Sequence, residues 1–600
     1  MVSTEEAALR DPAAEPEEEQ PTSRAWWLGP LIFGLYLIPA LVAFWHGLAH
    51  LATYEPGYGT GDLAKYNWCV AWVPYALGHG HNPFFTHVAN VPFGVNLMND
   101  TSVLGLGFLF SPVTVLFGPH ATVNLLLILA FPLSAGAAYL LARRYVRWRP
   151  AAFAAGLLYG YSPYMVGQGY GHLNLSFVPL PPLIFLALDE LFVRQRRNPT
   201  KVGILLGLMM TLQFLISTEI FATTVLFSAI ALVVLAIWRR HEIRARLPHA
   251  LRGLIPGAVL AVVLLAWPAY EAVLGPRHIH GVILGFRYYF SALLGPVLPS
   301  SIMKFGTHHM KALGDRIGGN SSENGSYLGV PLVLFFVATP FLVKGRAVRI
   351  AAVLAVIAFI LSLGVRLHIG VLRWAETTRH VVLPGALLYK IPLFNDSFPV
   401  RYTLYITIFV GVVLAFGLEA LHGFFADRRR LLLPAVAAVV VFLPLVPAWP
   451  AGYEGKVIIP PYFTTSAVKA LAPGEVTLVY PPSVPTNSVA MNWQAAAGMR
   501  FSMPGGYFVV PKSPSGSQFY TPTTTTDLLT SLSQGQKLER TAEVRDQVRA
   551  QLHTWGVTAV VAQPVGADPV GFFTWLVGRP PDSQAGGMIE WYHLDLAASS

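Results

Sequence analysis

An acidic residue follows a run of glycines in the stretch "YEPGYGTGDLAKYNW", residues 54–68. From Asp62 to position 77 apolar residues recur at helical spacing, which predicts a helix lying along a membrane surface with Asp62 at or near its N-terminus. A carboxylate placed there can take up a proton as a general base. An aspartate beside a helix start can equally be an N-cap, so both interpretations stay open.

Two later segments, about 274–325 and about 366–401, have the opposite charge, with ten Lys and Arg residues against four Asp and Glu. Such a concentration of bases favours an anionic ligand. Phosphate suits arginine because the planar guanidinium bonds two oxygens at once. The alternative is that these side chains reach lipid headgroups.

The composition indicates that much of this chain lies in a lipid bilayer. Of its 600 residues 54% are hydrophobic and 12% charged, and the mean hydropathy is +0.52, which is typical of a polytopic membrane protein. Lys and Arg outnumber Asp and Glu by 41 to 31, but they cluster between apolar segments, which indicates membrane topology and no nucleic-acid partner. The single cysteine, Cys69, excludes an intrachain disulfide and a multi-cysteine metal site.

About 20 apolar residues cross a bilayer, and the sequence predicts about 11 transmembrane helices. They lie near 26–47, 121–143, 150–168, 173–194, 201–217, 219–239, 251–272, 326–343, 347–365, 402–422 and 430–448. Five loops between them hold 19 of the 41 basic residues, so we expect these loops in the cytoplasm. Residues 1–25 are acidic and rich in Pro and Ala, which predicts a disordered cytoplasmic tail.

The apolar segment 102–118 is short and contains Pro112. If it crossed the membrane, every later basic loop would move outside, so we expect interfacial or re-entrant helices there.

The prediction is a transmembrane domain over 26–449 with a first outer loop over 48–120. Residues 450–600 lack a long apolar segment and alternate strand-like and turn-rich stretches, which predicts a C-terminal extracytoplasmic α/β domain.

Several polar residues lie near the predicted outer ends of spans, where they could line a cavity for sugar hydroxyls. They are Gln168, His172, Asn174, Glu219, Glu271 and Glu323, and Asp100 of the first outer loop could join them. For each of them the alternative is a helix cap or a hydrogen bond between helices.

The order of these features resembles the GT-C superfamily of integral membrane glycosyltransferases: one anchor helix, a long outer loop with an acid near its start, re-entrant helices, about ten further spans and a C-terminal outer domain. The chain is also similar to actinobacterial GT-C-like membrane proteins in "GYSPYMVGQGYGHLNL", "SENGSYLG", "FPVRY" and "MNWQAAAGMRFSMPGGY". The resemblance implies transfer of a sugar from a polyprenyl-phosphate donor to a cell-envelope glycan, lipid or protein outside the cytoplasm. It also implies a multi-pass plasma-membrane protein surrounded by membrane lipids. The five basic loops predict a cytoplasmic N-terminus.

Carried over by position, the resemblance implies that Asp62 is the catalytic base and that Arg401 binds the donor phosphate. We expect Lys390 and Arg379, from the basic outer segments, to bind the phosphate with Arg401. Many GT-C proteins carry a pair of acids in the first loop, but here Asp62 is followed by Leu63. No cofactor is certain, and a divalent metal stays open because Asp100 could supply a second carboxylate in space.

Two other functions stay open at this point. A lipid or glycan transporter or flippase would also be polytopic, although such proteins commonly show internal repeats and ionisable groups near the middle of the membrane. A non-catalytic GT-C-like protein of envelope assembly would keep the fold without the chemistry.

Overall fold

The computed structural model describes residues 27–283, 289–369, 381–424, 429–448, 454–513 and 515–596. The predicted tail and Arg379 lie outside these residues. The helices are α1 Leu28–Ala43, α2 Trp45–Ala49, α3 Asp62–His79, α4 Leu104–Leu109, α5 Ser111–Phe117, α6 Pro119–Ala142, α7 Arg149–Gly160, α8 Pro163–Gln168, α9 Leu173–Ser176, α10 Leu180–Asp189, α11 Pro199–Ile216, α12 Thr218–Trp238, α13 Ile243–Val273, α14 His308–Gly314, α15 Val330–Leu342, α16 Arg346–Ser362, α17 Gly385–Leu388, α18 Thr403–Phe424, α19 Arg429–Phe442, α20 Pro461–Thr464, α21 Val489–Ala496, α22 Thr524–Ser533, α23 Ala542–Trp555 and α24 Pro569–Val577. The strands are β1 Tyr54–Pro56, β2 Phe85–Thr86, β3 Val95–Asn96, β4 Glu454–Lys456, β5 Thr477–Tyr480, β6 Val510–Pro511, β7 Ser517–Gln518, β8 Ala559–Ala562, β9 Ser583–Ala585 and β10 Met588–Trp591.

Every predicted span contains a helix, which confirms a mostly helical, multi-pass membrane protein. Six helical segments among the described residues are long and apolar enough to cross a bilayer: Pro119–Ala142, Leu173–Arg194, Pro199–Ile216, Thr218–Trp238, Ile243–Val273 and Pro399–Phe424. Three shorter apolar helices, Leu28–Ala43, Val330–Leu342 and Leu431–Leu445, fall in other predicted spans. The total of 11 crossings stays a prediction.

Helices α11 and α13 pack backbone against backbone because glycines face each other. A Cβ on Gly203 would lie 1.8 Å from the carbonyl oxygen of Gly253, and a Cβ on Gly207 would lie 2.3 Å from that of Gly257. Small residues four positions apart allow this close approach, which membrane helices use because apolar burial gives them little drive to associate.

The first loop forms a pair of short helices at the position where the sequence predicts such a pair. Helices α4 and α5 meet at Phe110, and Val115, Leu116 and Phe117 expose large apolar side chains. The preceding helix, α3, begins at Asp62 as predicted, and its position along the membrane surface stays a prediction. Its side chains are mostly buried, because α3 packs against α4, α5 and α6 and is also covered by α21 from the C-terminal region.

Residues 454–596 hold a four-stranded sheet in the order β5, β8, β10, β9. Strands β5 and β8 are parallel, and the other neighbours are antiparallel. Leu529, Leu552 and Phe573 of α22, α23 and α24 belong to the core on this sheet. Strand β4 pairs with β1 of the first loop. This region is therefore joined to the first loop by main-chain hydrogen bonds.

The basic loops meet at one end of the helices. Arg144 forms an ion pair with Glu190 at 3.2 Å, and Gln195 donates to the carbonyl of Arg246 at 2.8 Å. Glu419, near the end of α18, accepts from the backbone just before α7 at 2.8 Å. Loops that touch one another lie on one side of a membrane, which supports the assignment of these loops to a single compartment.

We predict that residues 454–596 lie outside the cytoplasm and that the basic loops lie inside. Because Cys69 is buried, a cysteine introduced at the exposed positions Gln536 or His241 gives a readable signal. In intact cells, an impermeant maleimide should label Gln536→Cys, and it should label His241→Cys after permeabilisation alone. The reverse pattern would contradict the topology.

Candidate functional site

Asp62 is the first residue of α3, and its carboxylate does not cap that helix. The N-cap is Gly61, whose φ of +62° with ψ of −131° is a conformation that glycine adopts far more easily than other residues. No side-chain hydrogen bond caps the helix, so the N-cap interpretation is wrong. One oxygen of Asp62 instead lies 3.1 Å from Lys65 Nζ and the other 3.2 Å from His172 Nε2.

Lys65 joins Asp62 to Asp100. Its ammonium lies 2.9 Å from Asp100 Oδ1, and both of these side chains are almost fully buried. Asp100 also accepts the backbone N–H of Thr101 at 2.7 Å and that of Val509 at 2.9 Å. The structure thus brings two predicted site residues, Asp62 and Asp100, to one ammonium group.

The segment after α8 supplies the other side of this group. The backbone N–H of His172 donates to the backbone carbonyl of Gln168 at 2.9 Å. Asn174 accepts from the hydroxyl of Tyr66, one turn into α3. Two further predicted residues, His172 and Asn174, therefore contact α3 directly.

The charges around Asp62 keep its carboxylate ionised. Burial by itself would raise the pKa of Asp62, but the charge of Lys65 and the hydrogen bond with His172 outweigh burial and hold this pKa well below its ordinary value. Burial would likewise lower the pKa of Lys65, but Asp100 and Asp62 raise it well above its ordinary value. The side chain of Asp62 is 25% exposed and that of Lys65 only 4%. Asp62 is thus a charged acceptor that another molecule can reach.

Arg401 lies in a second group of charges. Its Nε donates to Glu323 Oε1 at 3.0 Å, its Nη2 donates to the same carboxylate, and its Nη1 donates to Glu219. Glu323 also accepts from Gln168 at 3.3 Å. The two groups are therefore connected through the turn from Gln168 to His172.

All three guanidinium nitrogens of Arg401 are bonded to carboxylates in this arrangement. A phosphate would compete with Glu219 and Glu323 for them, so the predicted role of Arg401 in donor binding stays a prediction.

Glu271 and Lys390 lie elsewhere. Glu271 accepts from Asn82 at 2.7 Å and from Trp267 at 3.1 Å, while its backbone carbonyl accepts from Asn96. These contacts fasten the first loop to α13, and a role of Glu271 in lining a sugar cavity stays a prediction. Lys390 is exposed after α17.

Sequence reasoning missed Lys65, Tyr66 and Tyr507 as members of the site. Lys65 stands three residues after Asp62 on a predicted helix, and this spacing places both on one face. Tyr507, whose ring centroid lies 4.9 Å from Lys65 Nζ, is more than 400 residues away along the chain and gives no local signal.

No protein-family model matches the chain, and neither does any curated protein. Among solved structures, it is similar to the arabinofuranosyltransferase AftD from Mycobacteria, at a TM-score of 0.54 and 14% identity over 97% of this chain and 40% of that one. The chain thus spans about two fifths of the length of AftD. Weaker similarities are to the oligosaccharyltransferase of Archaeoglobus fulgidus (TM-score 0.44, 12% identity, 92% of this chain and 69% of that one) and to ArnT from Cupriavidus metallidurans (TM-score 0.44, 10% identity, 95% and 98%). The chain has a GT-C-like membrane fold, as its sequence predicts.

We predict that Arg401→Ala destabilises the protein, because removing one partner from a buried ion pair costs about 3–5 kcal/mol. The thermal unfolding midpoint in detergent, followed by tryptophan fluorescence, should fall clearly. The matched control is the triple variant Arg401→Met, Glu219→Gln, Glu323→Gln, which leaves no unpaired charge and should recover most of the loss. If Arg401→Ala unfolds at the wild-type midpoint, Arg401 does not hold the two glutamates and is free for a ligand.

Proposed function

We propose that this chain is a membrane glycosyltransferase that moves a sugar from a polyprenyl-phosphate donor to an extracytoplasmic acceptor, a cell-envelope glycan, lipid or protein. One observation carries the proposal: an ionised, partly exposed carboxylate, Asp62, begins the first long helix of the first loop. The fold that presents it is shared with AftD, an arabinofuranosyltransferase.

In the proposed step, an acceptor hydroxyl oxygen attacks the anomeric carbon of the donor sugar. A new glycosidic bond forms, the bond from this carbon to the phosphate oxygen breaks, and its electron pair leaves with the lipid phosphate. Asp62 takes the proton of the hydroxyl. The products are the glycosylated acceptor, the lipid phosphate and a protonated Asp62.

A carboxylate of low pKa is a weak base, and general-base catalysis works best with a pKa near the working pH. The attacking hydroxyl becomes strongly acidic as its bond to an oxocarbenium-like carbon forms. Asp62 can therefore accept the proton late in the step, when little basicity is needed.

His172 and Lys65 serve Asp62 in different ways. His172 bonds one carboxylate oxygen and Lys65 the other, so the direction in which the carboxylate presents its lone pairs is fixed. Fixed polar groups of this kind cost no reorganisation when the reaction occurs. We place both as positioning residues.

For the donor, Arg401 with Lys390 and Arg379 remains the proposed phosphate-binding set. One glutamate of the Arg401 group has to give up a guanidinium nitrogen when the phosphate binds. Such an exchange of one anion for another needs no new buried cation, since the arginine charge is already there.

A non-catalytic protein of envelope assembly is the second candidate. One observation favours it: the positive charge of Arg401 is already matched by Glu219 and Glu323, so this group is complete without a ligand. The two candidates differ in what they require of Asp62.

We predict that Asp62→Asn retains the fold and lowers the transfer rate about 10²- to 10⁴-fold, as loss of a general base does. The assay follows labelled arabinofuranose from a polyprenyl phosphate to an envelope glycan fraction, with further polyprenyl-phosphate sugars tested if this donor is inactive. The control is Asp527→Asn, the same change at an exposed aspartate in the first turn of α22, which should transfer at the wild-type rate. Equal rates for Asp62→Asn and wild type would favour the assembly protein.

The dependence of rate on pH separates Asp62 from His172 as the base. A lowered pKa means that Asp62 loses its charge only as the pH falls well below the usual carboxylate range, so wild-type transfer should not decline through that range because of Asp62. In His172→Ala one interaction that lowers this pKa is gone, and the acid limb should move to higher pH while transfer persists. If transfer by His172→Ala persists with its acid limb at the wild-type pH, the group that titrates in this limb is not Asp62.

A further inference from the structure

A lysine ammonium occupies the space between the two carboxylates of the candidate site. Lys65 Nζ lies 3.1 Å from Asp62 Oδ1 and 2.9 Å from Asp100 Oδ1. Two carboxylates this close together are otherwise a place for a divalent cation. Hard divalent cations prefer such oxygen ligands.

The surroundings of the ammonium leave little room for a metal and its other ligands. The Lys65 side chain is 4% exposed and that of Asp100 2%. The rings of Tyr507 and Tyr66 have their centroids 4.9 and 5.7 Å from Nζ. A divalent cation needs six or more oxygen ligands, including waters, whereas the neighbours of this ammonium are two carboxylates and the rings of two tyrosines, with the Tyr507 hydroxyl hydrogen-bonded to Asp62.

The oxygens of Asp100 are also taken. Oδ1 accepts from Lys65 and from the backbone of Thr101, and Oδ2 accepts from the backbone of Val509. A metal bound to Asp100 would have to share these two oxygens with the three donors. It would also lie beside the buried positive charge of Lys65, which repels it strongly in a low-dielectric environment. The residues present therefore do not fit a divalent metal between Asp62 and Asp100.

We propose that Lys65 takes the place of this divalent cation, so that Asp62 and Asp100 form a site that works without metal. The proposal rests on the proposed function, which gives Asp62 its role in catalysis. The Mn²⁺-binding test below does not depend on that function. Lys65 balances one of the two negative charges and lies on the same helix as the base, three residues after it. A covalently attached cation keeps Asp62 in place whatever the supply of metal ions.

The test is Mn²⁺ binding by the purified full-length protein in detergent, measured by electron paramagnetic resonance. Wild type should hold no Mn²⁺ that depends on Asp100, so its titration should match that of Asp100→Asn. Lys65→Ser opens the space and removes the cation that the two carboxylates share, and this variant should bind about one Mn²⁺ and unfold at a higher temperature when Mn²⁺ is added. The double variant Lys65→Ser, Asp100→Asn should lose this binding.

Transfer assays give a second, separate result. Wild-type transfer should be unchanged by EDTA, whereas any transfer by Lys65→Ser should require Mn²⁺. The proposal is overturned if wild type binds one Mn²⁺ that Asp100→Asn removes, or if Lys65→Ser folds without gaining Mn²⁺. If Lys65→Ser does not fold, the comparison of wild type with Asp100→Asn still decides the question. A wild type that binds no such metal and transfers no sugar would leave this proposal standing and remove the proposed function.

Discussion

The burial of one ammonium group, that of Lys65, sets the arrangement of the whole site. A buried charge is tolerated when it is paired, and removing either partner leaves an unpaired buried charge that strongly destabilises the folded state. Lys65 meets this requirement with Asp62 on its own helix and with Asp100, 35 residues further along the chain. Because both carboxylates are held by the same group, the helix start, the loop before α4 and the orientation of Asp62 are fixed together.

The C-terminal region is part of the site and does more than cover it. Val509 donates its N–H to Asp100, and Trp68 of α3 donates to Gln494 of α21 at 2.6 Å. Asn492 of the same helix donates to the carbonyl of Gly59 at 2.8 Å, just before Asp62. The turn that starts α3 is therefore supported by residues more than 400 positions away. A shortened chain without these residues would lose the support on one whole side of Asp62.

Two charged groups lie on either side of one short turn, and they differ in what they leave accessible. Asp62 is charged and partly exposed, which suits a group that meets a substrate. Arg401 is enclosed by Glu219 and Glu323, so its charge is satisfied within the protein. The turn from Gln168 to His172 contacts both groups. A displacement of Glu323 would therefore reach His172, and through it Asp62, by way of this turn.

The sequence by itself determined the helices and their order. The apolar segments, the basic loops, the helix from Asp62 and the helix pair around Phe110 all follow from hydropathy and from a period of 3.6 residues, which are local properties of the chain. The grouping of Asp100, His172 and Asn174 near Asp62 followed in part from their shared end of the helices. Only the tertiary structure decided that Asp62 pairs with Lys65 instead of capping α3, that α3 is covered by α21, and that Arg401 is bound by two glutamates. Such pairings depend on which surfaces meet after the chain has folded, and one ion pair can be exchanged for another without any change in local pattern.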